Sequence, residues 1–156
     1  MKKTEKRCFP GQPGQSEPQP ETQVQEKEKK CVLVIEDCDT DRTFIRIVLR
    51  HFGFKVIEVP HSKDFFPAMW RNAENIFMIL FDGHVPDFNP DSSVVVPYVV
   101  DFYRNAPSEM RPVLISTTTD EKVKEKHLKS GCLCHVDKAN IVDDLTKLCS
   151  SLIPMH

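Results

Sequence analysis

The chain has 156 residues, 40% of them hydrophobic, and a formal net charge of −2; that length holds one domain of ordinary size and argues against two. No run approaches the roughly 20 apolar residues of a membrane span, and the longest candidate, "VVVPYVV", is split by Pro97. Residues 1–30 carry seven Lys/Arg against five Asp/Glu, leaving fourteen against eighteen for the rest, and so mild an acidic balance argues against a nucleic-acid surface.

Residues 1–30 are rich in Pro, Gln, Glu and Lys and hold almost no large apolar side chains. Such a segment buries too little surface to offset its ordering entropy, so a disordered tail is expected there, with the folded domain over 31–152. Its basic start is not followed by an apolar core, so it does not read as a secretory signal. A cytoplasmic location is expected, in which the six cysteines (Cys8, Cys31, Cys38, Cys132, Cys134, Cys149) are reduced thiols.

From Cys31 the pattern alternates between short apolar runs and helical periodicity. "CVLVI" is a continuous apolar run, as a strand buried on both faces requires. "DRTFIRIVLRHFG" predicts a helix with Phe44, Ile47, Val48 and His51 on its apolar stripe and Gly53 at its end, with Asp39, Thr40 and Asp41 as cap residues. "KVIEV" is a second strand. "SKDFFPAMWRNAEN" predicts a helix capped by Ser62, bent or delayed by Pro67. "IFMILFD" is a third buried strand ending in Asp82, and "GHVPDFNPDSS" is a loop.

"VVVPYVVDFYRN" predicts a third helix, although its valines would equally suit a strand. "PVLIST" is a fourth strand. "TTDEKVKEKHLKSG" predicts a polar helix with Thr118 and Glu121 at capping-box spacing and Gly131 after its end. "LCHVDK" is a fifth strand, and "NIVDDLTKLCSSLI" an amphipathic helix with Ile141, Leu145, Leu148 and Leu152 in register. Five βα units in a row imply an α/β fold, a doubly wound five-stranded parallel sheet covered on both faces by right-handed crossovers. Ligands of such sheets bind at the carboxyl ends of the strands.

Two clusters have ligand chemistry. His127, Cys132, Cys134 and His135 form an H-x4-C-x-C-H pattern, but structural zinc sites space their cysteines more widely. A one-residue gap also puts Cys132 and Cys134 on one face of a strand and His135 on the other, so small buried residues beside a strand are expected instead. The second cluster lies at the strand ends: Glu36 and Asp37 after the first strand, Asp82 after the third, Thr117 after the fourth and Lys138 after the fifth. Asp82 follows "IFMILF" directly and has no apolar or capping reason to be there. Three carboxylates repel one another unless a cation sits among them, and oxygen ligands suit Mg2+. A carboxylate beside that ion can attack phosphorus while the metal, a lysine and a hydroxyl neutralise the phosphoryl oxygens.

In order and spacing, "VLVIEDCDTDR", "ILFDGHVPD", "PVLISTTTD" and "GCLCHVDK" resemble the signature segments of response-regulator receiver domains, the stand-alone chemotaxis-regulator type among them. The resemblance covers about residues 31–152 and implies a flavodoxin-like (βα)5 fold. It implies Asp82 as phosphoacceptor; Glu36, Asp37, Asp82 and the backbone carbonyl of His84 around Mg2+; Thr117 and Lys138 at the phosphoryl group; and His135 at the place of a switching aromatic. The implied donors are a histidine kinase or a histidine phosphotransfer protein, and the implied output is partner binding over about residues 119–152 rather than an enzyme activity.

Two features depart from the family pattern. Ala139 replaces the usual proline after the lysine, so Lys138 is expected to be less firmly aimed, and the loop after Pro86 is long and lacks the family's glycine. These departures, together with a histidine, His135, at the switch position, support an alternative, a receiver-like interaction module that no longer switches. A third reading, a haloacid-dehalogenase-type phosphatase, rests on the D-x-D of Asp37 and Asp39 but leaves Asp82 unexplained.

Overall fold

The computed structural model describes residues 31–153, and the tail expected over 1–30 lies outside the described residues. The strands are β1 (Cys31–Ile35), β2 (Lys55–Val59), β3 (Ile76–Phe81), β4 (Val113–Ser116) and β5 (Cys134–His135). They alternate with α1 (Asp39–His51), α2 (Phe65–Arg71), α3 (Val96–Phe102), α4 (Glu121–Ser130) and α5 (Ile141–Leu152). All pairings are parallel, in the order β2-β1-β3-β4-β5. The chain steps from β1 outward to β2, then returns past β1 to build β3, β4 and β5. The order therefore reverses between β1 and β3, and the crevice at their carboxyl ends is where such a sheet takes a ligand.

The two central strands are apolar throughout because each face of the sheet has its own core. Leu33, Ile35, Ile79 and Phe81 pack with Phe65, Met69, Val96 and Val99 of α2 and α3. Val32, Val34, Met78 and Leu80 pack with Ile45, Val48 and Leu49 of α1 and with Ile141, Leu145 and Cys149 of α5. Alternate residues of one strand thus enter opposite cores, as the two-residue period of a strand requires. No helix among the described residues is long and apolar enough to cross a membrane.

Several local expectations are corrected. In α1 the buried residues are Ile45, Val48 and Leu49, while Phe44 and Ile47 stay 44% and 59% exposed. The helix offers two overlapping stripes, and its rotation is fixed by Arg42 and Arg46, one turn apart, which both reach Glu58 on β2 (3.1 and 2.8 Å). Cys38, not Asp39 to Asp41, takes the cap position of α1, without a side-chain cap. Ser62 opens a short 3-10 turn, Ser62–Asp64, and α2 starts only at Phe65. That delay leaves Pro67 in the first turn, where its missing N–H has no intrahelical partner to lose. Asp120 caps α4, accepting from the amides of Lys122 and Val123, and Thr118 instead accepts from the Asp120 amide at 3.1 Å. Cys132 lies in the core under α2 and α3 and Cys134 packs against the other, so they do not share a face.

The long loop after β3 is ordered by its own chemistry. Asp87 adopts φ 77°, the left-handed conformation that glycine favours and aspartate tolerates. Buried Asp91 accepts from the Ser93 amide at 2.8 Å and pairs with Lys126 of α4 at 3.0 Å. A 3-10 turn, Ser92–Val94, then leads into α3, with Pro97 in its first turn.

Candidate functional site

The sheet's hydrogen bonding runs one residue past β1, β3 and β4 and so carries the acids with it. The amide of Asp82 donates to the Ile35 carbonyl at 2.9 Å, that of Thr117 to Phe81 at 2.9 Å and that of Glu36 to Val59 at 3.3 Å. Glu36, Asp82 and Thr117 are consequently buried at the sheet edge, whereas Asp37 is exposed. Ligand oxygens of Glu36, Asp37 and Asp82 all lie within 4.8 Å of one another.

Lys138 closes this group. Its Nζ stands 2.7 Å from Asp82 Oδ1, 2.7 Å from Glu36 Oε1 and 3.7 Å from Asp41 Oδ2. The other Glu36 oxygen accepts from the Cys38 amide at 3.1 Å. The Ala139 amide donates to Asp137 Oδ1 at 3.0 Å, a bond that a proline could not make. Burial pushes the Glu36 carboxyl up to about 7, against the pull of Lys138 and with the charge of Asp82 adding to the rise. Burial would lower Lys138, but its bonds to Asp82 and Glu36 outweigh that and hold it above its ordinary value.

Three carboxylates around one ammonium leave negative charge unbalanced, and all the donors are oxygens. The set fits a small hard cation such as Mg2+. Thr117 adds a buried hydroxyl with no hydrogen-bond partner among the described residues, a group left available to an incoming oxygen. Gly83 is required next to Asp82, since a Cβ there would overlap the Thr118 side chain. His84 is exposed, and its Nε2 lies 3.0 Å from Asp120 Oδ2, which holds Asp120 below the usual carboxylate range.

The structure also brings forward residues that sequence reasoning missed. His127 is wholly buried, with Nε2 2.8 Å from Ser92 Oγ and Nδ1 2.8 Å from Ser116 Oγ. The Ser92 hydroxyl donates to the Asp82 carbonyl, and His135 Nδ1 stands 3.4 Å from Ser116 Oγ. Sequence reading weighed His127 only as a zinc ligand. A better signal was its place four residues after Val123 on an otherwise polar helix, which puts both on the inward face. Among the described residues, the acids are the only His, Cys, Asp or Glu group spaced for a metal.

No protein-family model matches the chain, and no curated protein matches it in sequence. Solved structures do match. A putative response regulator from Chloroflexus aurantiacus aligns at 18% identity and TM-score 0.64, over 79% of this chain and 96% of that one. A response regulator from Thermotoga maritima aligns at 18% identity and TM-score 0.61, over 80% and 97%. The chain has the receiver fold. The receiver domain of Ssk1 from Saccharomyces cerevisiae, solved with the histidine phosphotransfer protein Ypd1, is similar at 18% identity and TM-score 0.62, over 78% of this chain and 86% of that one. Within this receiver fold the acids gather at the β1/β3 reversal, the place the topology assigns to a ligand.

Proposed function

We propose that the chain is a cytoplasmic receiver that takes a phosphoryl group from a phosphohistidine onto Asp82 and signals by changing its affinity for a protein partner. The observation that carries this reading is the buried Asp82 carboxylate, at the end of a central strand, 2.7 Å from the Lys138 ammonium and within reach of two further acids. In the transfer, an Asp82 oxygen bonds to phosphorus as the bond from phosphorus to the donor's histidine nitrogen breaks, and the imidazole leaves. Mg2+, held by Glu36, Asp37, Asp82 and the backbone carbonyl of His84, would supply charge neutralisation. Lys138 holds Asp82 in place and meets the phosphoryl charge, and the free hydroxyl of Thr117 donates to a phosphoryl oxygen. His135 on β5, paired with Ser116 of β4, responds when Thr117 moves toward the phosphoryl group. The chain acts as a substrate and signal; it turns over at most its own phosphoryl group.

The donor's surface is read from α1. Phe44 and Ile47 are exposed there, as is Val142 at the start of α5; Phe44 and Val142 border the same shallow pocket as Lys138. A histidine kinase or phosphotransfer protein with an apolar face would bury this patch and bring its histidine to Asp82. For output, exposed Leu128 and Leu133 give the region 119–152 an apolar foothold for a downstream protein. The phosphatase reading has less support, because Asp39 pairs with Arg42 instead of joining the acids.

Addition of Mg2+ and beryllofluoride, a phosphoryl mimic, tests the reading by amide NMR. Shifts at Asp82, Thr117 and His135, absent in Asp82→Asn, are expected. Binding without any change at Thr117 and His135 would instead identify the module that no longer switches.

A further inference from the structure

The contacts around His127 fix the direction of every proton in them. A carbonyl only accepts, so the single hydroxyl proton of Ser92 goes to the Asp82 carbonyl. Toward His127, Ser92 Oγ can then only accept, and the ring must carry its proton on Nε2. A neutral imidazole has one N–H, so Nδ1 is bare and takes the hydroxyl proton of Ser116. Ser116 Oγ is left as an acceptor, and His135 must meet it with an Nδ1–H. Ser92, Ser116 and His127 are all buried. Burial also holds the His127 ring well below its ordinary value, against the raising charges of Asp91 and Asp82, which agrees with a neutral ring.

We propose that His127 is a positioning residue that ties the backbone of Asp82 to His135 through Ser92 and Ser116. This rests on the reading of Asp82 as phosphoacceptor and names how occupancy of that site reaches β5. The inner links are 2.8 Å long and the link to His135 is 3.4 Å, so the chain is tight at the acceptor and loose at the output edge. Ser116 immediately precedes Thr117 on β4 and pairs with Phe81 on one side and His135 on the other. A pull on Thr117 therefore displaces the serine that holds both histidines, and the loose link changes first.

Side-chain nitrogen NMR of the full chain tests both parts. In the native protein His127 is expected as the neutral Nε2–H tautomer and His135 as an Nδ1–H donor to Ser116; a His127 protonated on Nδ1 would overturn the network. With Mg2+ and beryllofluoride, the His135 ring signals should shift in the native chain. That shift should be lost in His127→Leu while the Asp82 amide still responds, and restored in His127→Gln, whose amide both donates and accepts. An undiminished His135 response in His127→Leu would overturn the relay alone. If His127→Leu does not fold, a native-sized response in Ser116→Ala would do the same. A silent Asp82 amide in the native chain would remove the acceptor reading and the coupling with it, leaving the tautomer result as a property of the fold.

Discussion

At the scale of single residues, the site combines charge that the fold cannot neutralise with groups that have no other task. Glu36 is the clearest case. Its carboxyl, raised to about 7 by burial, holds a proton that a divalent cation must displace. Mg2+ affinity is therefore expected to rise about tenfold between pH 6 and pH 8, as measured by isothermal titration calorimetry, and a flat profile would mean that Glu36 is not involved. His127 gives the opposite dependence, in stability. Its folded value of about 4 lies below the ordinary 6.5, so the unfolded chain takes up the proton first. Stability from this group is full above pH 6.5 and is lost as pH falls toward 4, by roughly 3 kcal/mol. Urea denaturation across that window should show the loss, and His127→Gln should flatten it.

At the scale of elements, the sequence made strands and acids plain and helix faces less so. β1 and β3 were legible because continuous apolar runs have one explanation, burial on both faces, and the acids follow them directly. The face of α1 was not, because Phe44, Ile47 and Val48 form as good a stripe as Ile45, Val48 and Leu49. The choice came from Glu58, twelve residues beyond Arg46 and invisible to local periodicity. The same choice leaves Phe44 and Ile47 outside. Ile47→Asp is expected to change stability by about 0.5 kcal/mol or less, as an exposed position should, yet to slow phosphoryl transfer from a phosphotransfer protein without slowing labelling by a small donor. Equal rates from both donors in the variant and the native chain would remove α1 from the docking surface. The relay was hidden for a related reason: Ser92, Ser116, His127 and His135 come from a turn, a strand, a helix and another strand, and only the folded sheet brings them together.

At the scale of the whole molecule, the order β2-β1-β3-β4-β5 does the decisive work. It places the reversal between β1 and β3, whose ends supply Glu36, Asp37 and Asp82, and sets β4 and β5 alongside to add Thr117 and Lys138. Of the site, its five strand-end side chains were legible in the sequence, and the departure expected at Ala139 proved compatible with a 2.7 Å contact from Lys138 to Asp82. The central claim, that Asp82 accepts a phosphoryl group, is most directly tested by the intact mass of the protein after incubation with Mg2+ and acetyl phosphate, beside Asp82→Asn. One phosphoryl adduct, labile to hydroxylamine and absent from the variant, is the expected result; an adduct of equal yield on Asp82→Asn would contradict it.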